Sequence, residues 1–259
     1  MSATQFDLPF VPASCDQCRD AAALGFGFTM AFQPIVDVSS GQPFGYEALV
    51  RGEHGESAAE ILAKVNDGNR YRFDQACRVK AIELAAGLGL PQRPACRLSI
   101  NFLPNAVYRP ETCIRATLQA AARFGLPSAQ LMFEVTEGER VADSQHLINI
   151  FDAYRRQGFT TAIDDFGAGY SGLNLLATFQ PDVLKIDMEL TRGIDASPVR
   201  QAIVSGVLLV CRRLQIQVIA EGIETEQERA TLQDMGVVLM QGYLFARPEV
   251  ERLPLWQAP

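Results

Sequence analysis

The sequence predicts an α/β fold, a modified TIM-type (β/α)8 barrel whose first strand runs antiparallel to the second. Three observations carry this reading. Eight apolar, β-branched-rich runs of strand length recur along the chain, amphipathic helical segments lie between most of them, and only five residues separate the first run from the second. A barrel of this kind needs roughly 250 residues, and the chain has 259. Length alone also admits two domains, but the alternation runs to the C-terminus without a linker and favours one.

In chain order, residues 1–27 mix Pro, Ser and Cys and read as a leader with room for one short helix, and residues 28–259 form the barrel domain. The first two runs, Thr29 to Val38 and Phe44 to Val50, flank Ser39-Ser-Gly-Gln-Pro43. A parallel crossover takes about a dozen residues or more, so these two runs form a hairpin. The remaining runs are Arg97 to Phe102, Leu131 to Val135, Thr160 to Ile163, Val183 to Ile186, Gln217 to Ala220 and Val237 to Phe245. Helix boundaries carry matching chemistry. Ser57-Ala-Ala-Glu60 and Thr225-Glu-Gln-Glu228 are capping boxes, Ser197-Pro198 sets a cap before a first-turn proline, and Gly125, Gly158 and Gly236 stand where left-handed helix stops belong.

Composition narrows the functional classes. With 48% hydrophobic and 20% charged residues the chain can build a large core. A net charge of −7, from 23 basic and 30 acidic residues, gives no long-range attraction to DNA, RNA or an anionic membrane. An anionic substrate would then need a local device such as a metal ion. No apolar run reaches the ~18 residues of a membrane span, and Met1 to Phe10 lacks the marks of a signal peptide. A cytoplasmic protein with reduced thiols is the expectation. Cys77, Cys96, Cys113 and Cys211 sit singly in apolar segments, as small hydrophobes do. Cys15 and Cys18 form a lone Cys-x-x-Cys pair, short of the about four ligands of a zinc site.

Barrel chemistry sits at the C-terminal strand ends. The polar residues there are Glu47, Asn101, Glu134 with Glu137 beyond, Asp164 and Asp165, Lys185 and Asp187, Glu221 with Glu224 after it, and Gln241. Gln33 lies near the start of the first run, the end that a reversed strand presents at the same mouth. A single strand-end carboxylate is ordinarily a solvated loop residue. Convergence changes that, because four or more carboxylates repel one another unless cations bind, and an all-oxygen set suits Mg²⁺ or Mn²⁺ rather than zinc. Lys185, inside Val-Leu-Lys-Ile-Asp, would be costly to bury without a partner. A metal pair about 3.5 to 4 Å apart could activate water and clamp phosphoryl oxygens, with Lys185 and Arg51 offsetting the remaining charge. Gly167 and Gly169, after the double Asp, read as a mobile loop over the site. His54 and His146 are read as surface residues without a role.

These residues stand in motifs that closely resemble the EAL domain family of cyclic di-GMP phosphodiesterases, from about Phe28 to Pro254: Gln33-Pro34-Ile35, Glu47-Ala48-Leu49-Val50-Arg51, Asn101-Phe102-Leu103, Glu134-Val135-Thr136-Glu137, Asp164-Asp165-Phe166-Gly167, Lys185-Ile186-Asp187, Ala220-Glu221-Gly222-Ile223-Glu224 and Gln241-Gly242. The resemblance implies a barrel with an antiparallel first strand, in agreement with the hairpin argument. It implies metal-binding roles for Glu47, Asn101, Glu134, Asp164 and Asp165, with Asp187 beside them. Glu221 matches the proposed general base and Lys185 a lysine that helps hold the water and metal site. Gln33, Leu49, Arg51 and Gln241 match substrate-contacting positions, and Glu137 and Glu224 match loop-anchoring ones. The short stretch after Arg51, Gly-Glu-His-Gly-Glu-Ser, departs from many relatives, which leaves contacts at that edge open.

The implied activity is metal-assisted hydrolysis of cyclic di-GMP to linear pGpG with Mg²⁺ or Mn²⁺, two ions per site. The resemblance further implies a homodimer, and regulation would fall to the leader or to a separate protein partner. Two other readings stay open. One is a non-catalytic cyclic di-GMP receptor or protein-interaction module on the same fold. The other is a barrel glycosidase with paired carboxylates, since fold alone does not fix function.

Overall fold

A computed structural model describes residues 24–107, 109–136, 144–169 and 172–256. Cys15, Cys18 and Glu137 lie outside the described residues. Strands β1 (Thr29–Asp37), β2 (Gln42–Arg51), β3 (Arg97–Asn101), β4 (Leu131–Thr136), β5 (Thr160–Phe166), β6 (Val183–Ile186), β7 (Gln217–Ala220) and β8 (Leu239–Gln241) follow the apolar runs. They close into a barrel, with β2 to β8 parallel in sequence order and β1 antiparallel to both β2 and β8. The hairpin is therefore real. Asp37 closes it by accepting from the Ser39 amide at 2.9 Å and hydroxyl at 2.6 Å, an Asx turn. A ninth strand, β9 (Glu249–Val250), which the sequence pattern did not announce, pairs with β1 at Ala31 and Phe32.

Three helices of the outer layer begin, and three end, where the boundary chemistry placed them. Ser57 and Thr225 form complete capping boxes on α1 (Ala58–Leu62) and α9 (Glu226–Asp234), each worth about 1 kcal/mol of helix stability. Between these lie α2 (Arg70–Gly87), α3 (Pro110–Cys113), α4 (Arg115–Phe124), α5 (Ser144–Arg156), α6 (Gly172–Thr178), α7 (Met188–Thr191) and α8 (Pro198–Leu214), the last capped by Ser197. Gly125, Gly158 and Gly236 take φ of 69°, 80° and 94°, as the helix stops require. Cys96, Cys113 and Cys211 are buried and Cys77 is half-buried, all as free thiols.

Two apolar layers hold the barrel. The larger fills the space between strands and helices, and a smaller cluster of Ile35, Met132, Ala162, Val183, Ile219 and Leu239 fills the barrel interior. Side chains alternate across a strand with period two, so the residue two further along faces the same way. Two residues beyond Met132, Ala162, Val183, Ile219 and Leu239 stand Glu134, Asp164, Lys185, Glu221 and Gln241. On the reversed β1 the same step is taken backwards, from Ile35 to Gln33. The apolar plug and the polar mouth are thus successive layers of one alternation.

Two sequence boundaries are corrected. The eighth run, read as Val237 to Phe245, is a strand only over Leu239–Gln241. A Cβ on Gly242 would meet the Ile223 carbonyl oxygen at 2.0 Å, and the Ile223 amide donates to the Gln241 carbonyl at 3.1 Å, so the chain leaves the sheet to pack on the loop after β7. Gln33, expected near the start of β1, stands mid-strand opposite Glu47; it still faces the mouth because that pairing sets the register.

Candidate active site

Lys185 organises the mouth. Its side chain is 0% exposed, and its Nζ lies 2.8 Å from Glu221 Oε1, 2.9 Å from Asp164 Oδ1, 3.1 Å from Glu134 Oε2 and 3.3 Å from Glu47 Oε2. One ammonium facing four carboxylates leaves a large excess of negative charge. Gln241 Nε2 donates to Glu47 Oε2 at 2.7 Å and to Gln33 Oε1 at 3.2 Å, while Asn101 Nδ2 donates to Glu47 Oε1 at 3.0 Å. Glu47 is thereby fixed on both oxygens. Glu134, fully buried, keeps Oε1 without a hydrogen-bond partner among the described residues.

Carboxylate oxygens of Glu47, Glu134 and Asp164 lie within 4.8 Å of one another, and so do those of Asp164, Asp165 and Glu221. The two triads share Asp164. Period two would turn Asp165 away from Asp164, but β5 bulges between Ile163 and Phe166 and Asp165 takes φ of 55°, which swings it back. Such a left-handed non-glycine residue stores strain that surrounding contacts must hold. Asp187 caps α7, accepting from the Glu189 amide at 2.8 Å, and stands at the cleft wall. An unpartnered buried oxygen, two triads and an anionic excess together fit a hard divalent cation held by oxygen. The cleft above, about 250 Å³, is lined among others by Gln33, Leu49, Asp165, Asp187, Glu221 and Gln241.

The charge excess shows in proton affinities. Burial, reinforced by Glu47 and Asp164 and opposed by Lys185, pushes Glu134 up to about 8. Burial, with Asp164 and Asp187, pushes Asp165 up to about 6, and burial first of all holds Glu221 well above the carboxylate range. For Lys185 burial works against the charge, but the surrounding carboxylates outweigh it and raise its pKa. A carboxyl with a raised pKa contributes stability that is whole below its unfolded value, near pH 4, and is lost as pH climbs through its folded value. Carboxylates held low, Glu228 among them, are already ionised in that window. Cation-free protein should therefore melt at a lower temperature near pH 8 than near pH 6, and added Mn²⁺ should raise the melting temperature more at the higher pH. Thermal melts in chelator and in Mn²⁺ check this; stability that climbed with pH in chelator would contradict it.

The sequence matches the EAL domain over residues 17–248. The chain belongs to the EAL domain family. Over 97% of its length it is 31% identical to the Escherichia coli blue light- and temperature-regulated antirepressor BluF, and over 84% it is 30% identical to the cyclic di-GMP phosphodiesterase NbdA of Pseudomonas aeruginosa. It spans only 64% and 28% of those two proteins. Among solved structures, a standalone versatile EAL protein from Vibrio cholerae O395 in a c-di-GMP bound form is 56% identical, with a TM-score of 0.85 over 90% of this chain and 96% of that one. A manganese and cyclic di-GMP complex of Klebsiella pneumoniae BlrP1 is 40% identical, with a TM-score of 0.81 over 88% of this chain and 57% of that one.

Against this EAL frame, the residues read from sequence fall into distinct places. Gln33, Glu47, Asn101, Glu134, Asp164, Asp165, Lys185, Glu221 and Gln241 converge at the mouth. Arg51 stands at the end of β2, and its Nη1 donates to the Val50 carbonyl at 2.6 Å. Glu224 forms a two-pronged pair with Arg192, at 2.7 and 2.9 Å, joining the loop after β7 to the end of α7. Sequence reasoning passed over Met188, Arg192 and Tyr243, which also line the cleft. It passed over Thr191 too, whose buried hydroxyl donates to the Glu221 carbonyl. A Thr or Arg one turn beyond a strand carries no periodic mark, so nothing in the pattern singled these out. His54 is exposed and His146 half-buried, neither at the mouth.

Proposed function

We propose that the protein is a metal-dependent phosphodiesterase that hydrolyses cyclic di-GMP to linear 5′-pGpG. The observation that carries this reading is the pair of carboxylate triads sharing Asp164 above a buried Lys185, in a chain of the EAL family. Glu47, Asn101, Glu134, Asp164 and Asp165 would hold Mg²⁺ or Mn²⁺, two ions per site, with Asp187 alongside; the manganese complex of the BlrP1 relative supports an ion of this type. When bound, such ions supply a water that ionises near neutral pH and neutralise charge on the phosphoryl oxygens.

The chain's own residues do the rest. Glu221, whose side chain is 14% exposed where Glu134 is closed off, opens toward the cleft and takes the proton of the water attacking phosphorus in line. Lys185 orients Glu221 and Asp164 at 2.8 and 2.9 Å. Gln33, Leu49, Arg51 and Gln241 contact the dinucleotide, and Glu224 and Glu137 steady the loops around it. Glu221→Gln should keep binding cyclic di-GMP while turnover falls by about 10²- to 10⁴-fold, the span of general base catalysis. Calorimetric binding beside single-turnover rates checks this; lost binding with undiminished chemistry would remove Glu221 from the base role.

The antirepressor name of one relative favours a second reading, a cyclic di-GMP receptor or protein-interaction module without turnover. Incubation of purified protein with cyclic di-GMP and Mg²⁺ or Mn²⁺, beside a chelator control, separates the two by chromatography. Metal-dependent pGpG supports the enzyme, and intact nucleotide with tight binding supports the receptor. The same reading includes a homodimer, a possible regulatory protein partner and a cytoplasmic location, without a DNA, RNA or membrane partner. Among the described residues no helix is long and apolar enough to cross a membrane.

A further inference from the structure

We propose that Asp74, buried on α2 and outside the cleft, is a positioning residue that sets the Asn101 end of β3 for cation binding; this rests on the phosphodiesterase reading above. Asp74 is 3% and Arg78 0% exposed, and they pair at 2.7 Å one helical turn apart. Such a pair is weak evidence of stability, because apolar residues of like volume often hold a core as well. What distinguishes this one is where it reaches. Asp74 Oδ1 accepts from the Leu103 amide at 2.9 Å, and the Phe102 amide between Leu103 and Asn101 donates to the Glu134 carbonyl at 3.1 Å. Both amides that follow Asn101 are therefore held, one by β4 and one by Asp74.

Arg78 balances the buried charge of Asp74. Its Nη1 donates to the Tyr154 hydroxyl at 2.6 Å, and its guanidinium stands 5.4 Å from the ring centroids of Phe102 and Phe133. Those two rings belong to the residues adjoining Asn101 and Glu134. Asn101, itself exposed at the rim, depends on this backbone anchor to keep its amide on Glu47 Oε1. The acceptor oxygen of Asp74, rather than its charge, is the working part.

The test compares two full-length double variants with the parent. Asp74→Asn with Arg78→Met removes both charges but keeps an acceptor for Leu103, whereas Asp74→Leu with Arg78→Met removes the acceptor as well. Mn²⁺ affinity by calorimetry should stay near the parent value in the first and fall about 10- to 100-fold in the second, the loss typical of a supporting partner behind a metal ligand. The Leu103 amide should lose exchange protection only in the second. Equal Mn²⁺ affinity in both variants, or an equal fall in both, overturns the proposal. Should either fail to fold, exchange in the parent decides: protection of Leu103 matching the β3 amides supports the anchor, and exchange at the rate of a solvent-facing loop overturns it. A parent protein that binds no Mn²⁺ sinks the metal reading instead, and the exchange of Leu103 still decides the anchor.

Discussion

Asp164→Ala should abolish hydrolysis of cyclic di-GMP and, in the same stroke, divalent-cation binding. Asp164 is the one carboxylate common to both triads, so its loss leaves two acids in each. The fall in turnover should exceed the about 10- to 100-fold cost of disturbing a residue behind a ligand. The same substitution should leave the cation-free fold intact or more stable, because it removes one of four anions packed around a single ammonium. Chromatography of the product, Mn²⁺ calorimetry and a thermal melt in chelator read the three effects separately. A variant that still bound Mn²⁺ and still made pGpG at the parent rate would remove Asp164 from the centre of the site.

Lys185→Met should do the reverse to the fold. Stripping the only cation that the described residues place in this buried cluster leaves Glu47, Glu134, Asp164 and Glu221 facing each other, a change of the type that costs about 3 to 5 kcal/mol. The loss should be smaller near pH 6 than near pH 8, because Glu134 and Glu221 hold their protons more readily at the lower pH and the cluster then carries less charge. Excess Mn²⁺ should restore part of the stability in chelator-free buffer while turnover stays low, since Glu221 loses the partner that orients it. Denaturant unfolding at the two pH values, with and without Mn²⁺, measures this. A variant as stable as the parent at the higher pH would show that the ammonium does not balance the cluster.

Lys185 was legible in the sequence because a charge inside Val-Leu-Lys-Ile violates the apolar run around it, and such a violation has few explanations. The reversed first strand was legible for a geometric reason, since no crossover fits between residues 38 and 44. Asp74 and Arg78 were illegible for the opposite reason. Acid and base four apart on a helix read as an exposed surface pair, and only the packed structure shows them buried beneath Phe102 and Phe133. Asp165 shows a third case: two adjacent Asp residues were expected at one strand end, but their sharing of one mouth depends on a bulge and a left-handed turn that period two does not contain. The eighth strand was overrun because Val237 to Phe245 is apolar apart from Gln241 and Gly242, and the close backbone approach that ends it involves Ile223, some twenty residues earlier.

The seam between β8 and β1 bears on the order in which the protein can be finished as it is synthesised. β8 covers β1 only at Ile35 to Asp37, and the other half of that edge waits for β9 at Ala31 and Phe32. Gln33 donates to the Ala246 carbonyl across 213 residues of chain, and the Thr29 hydroxyl to Glu251 across 222. Contacts so distant along the chain are the slowest to close and form late. A nascent chain that has exposed Glu47, Glu134, Asp164 and Lys185 but not yet residue 250 holds the acidic cluster with one wall missing. Completion of the mouth is tied to residues 246–251, so a copy that lacks them carries the charges of the site with that wall still open.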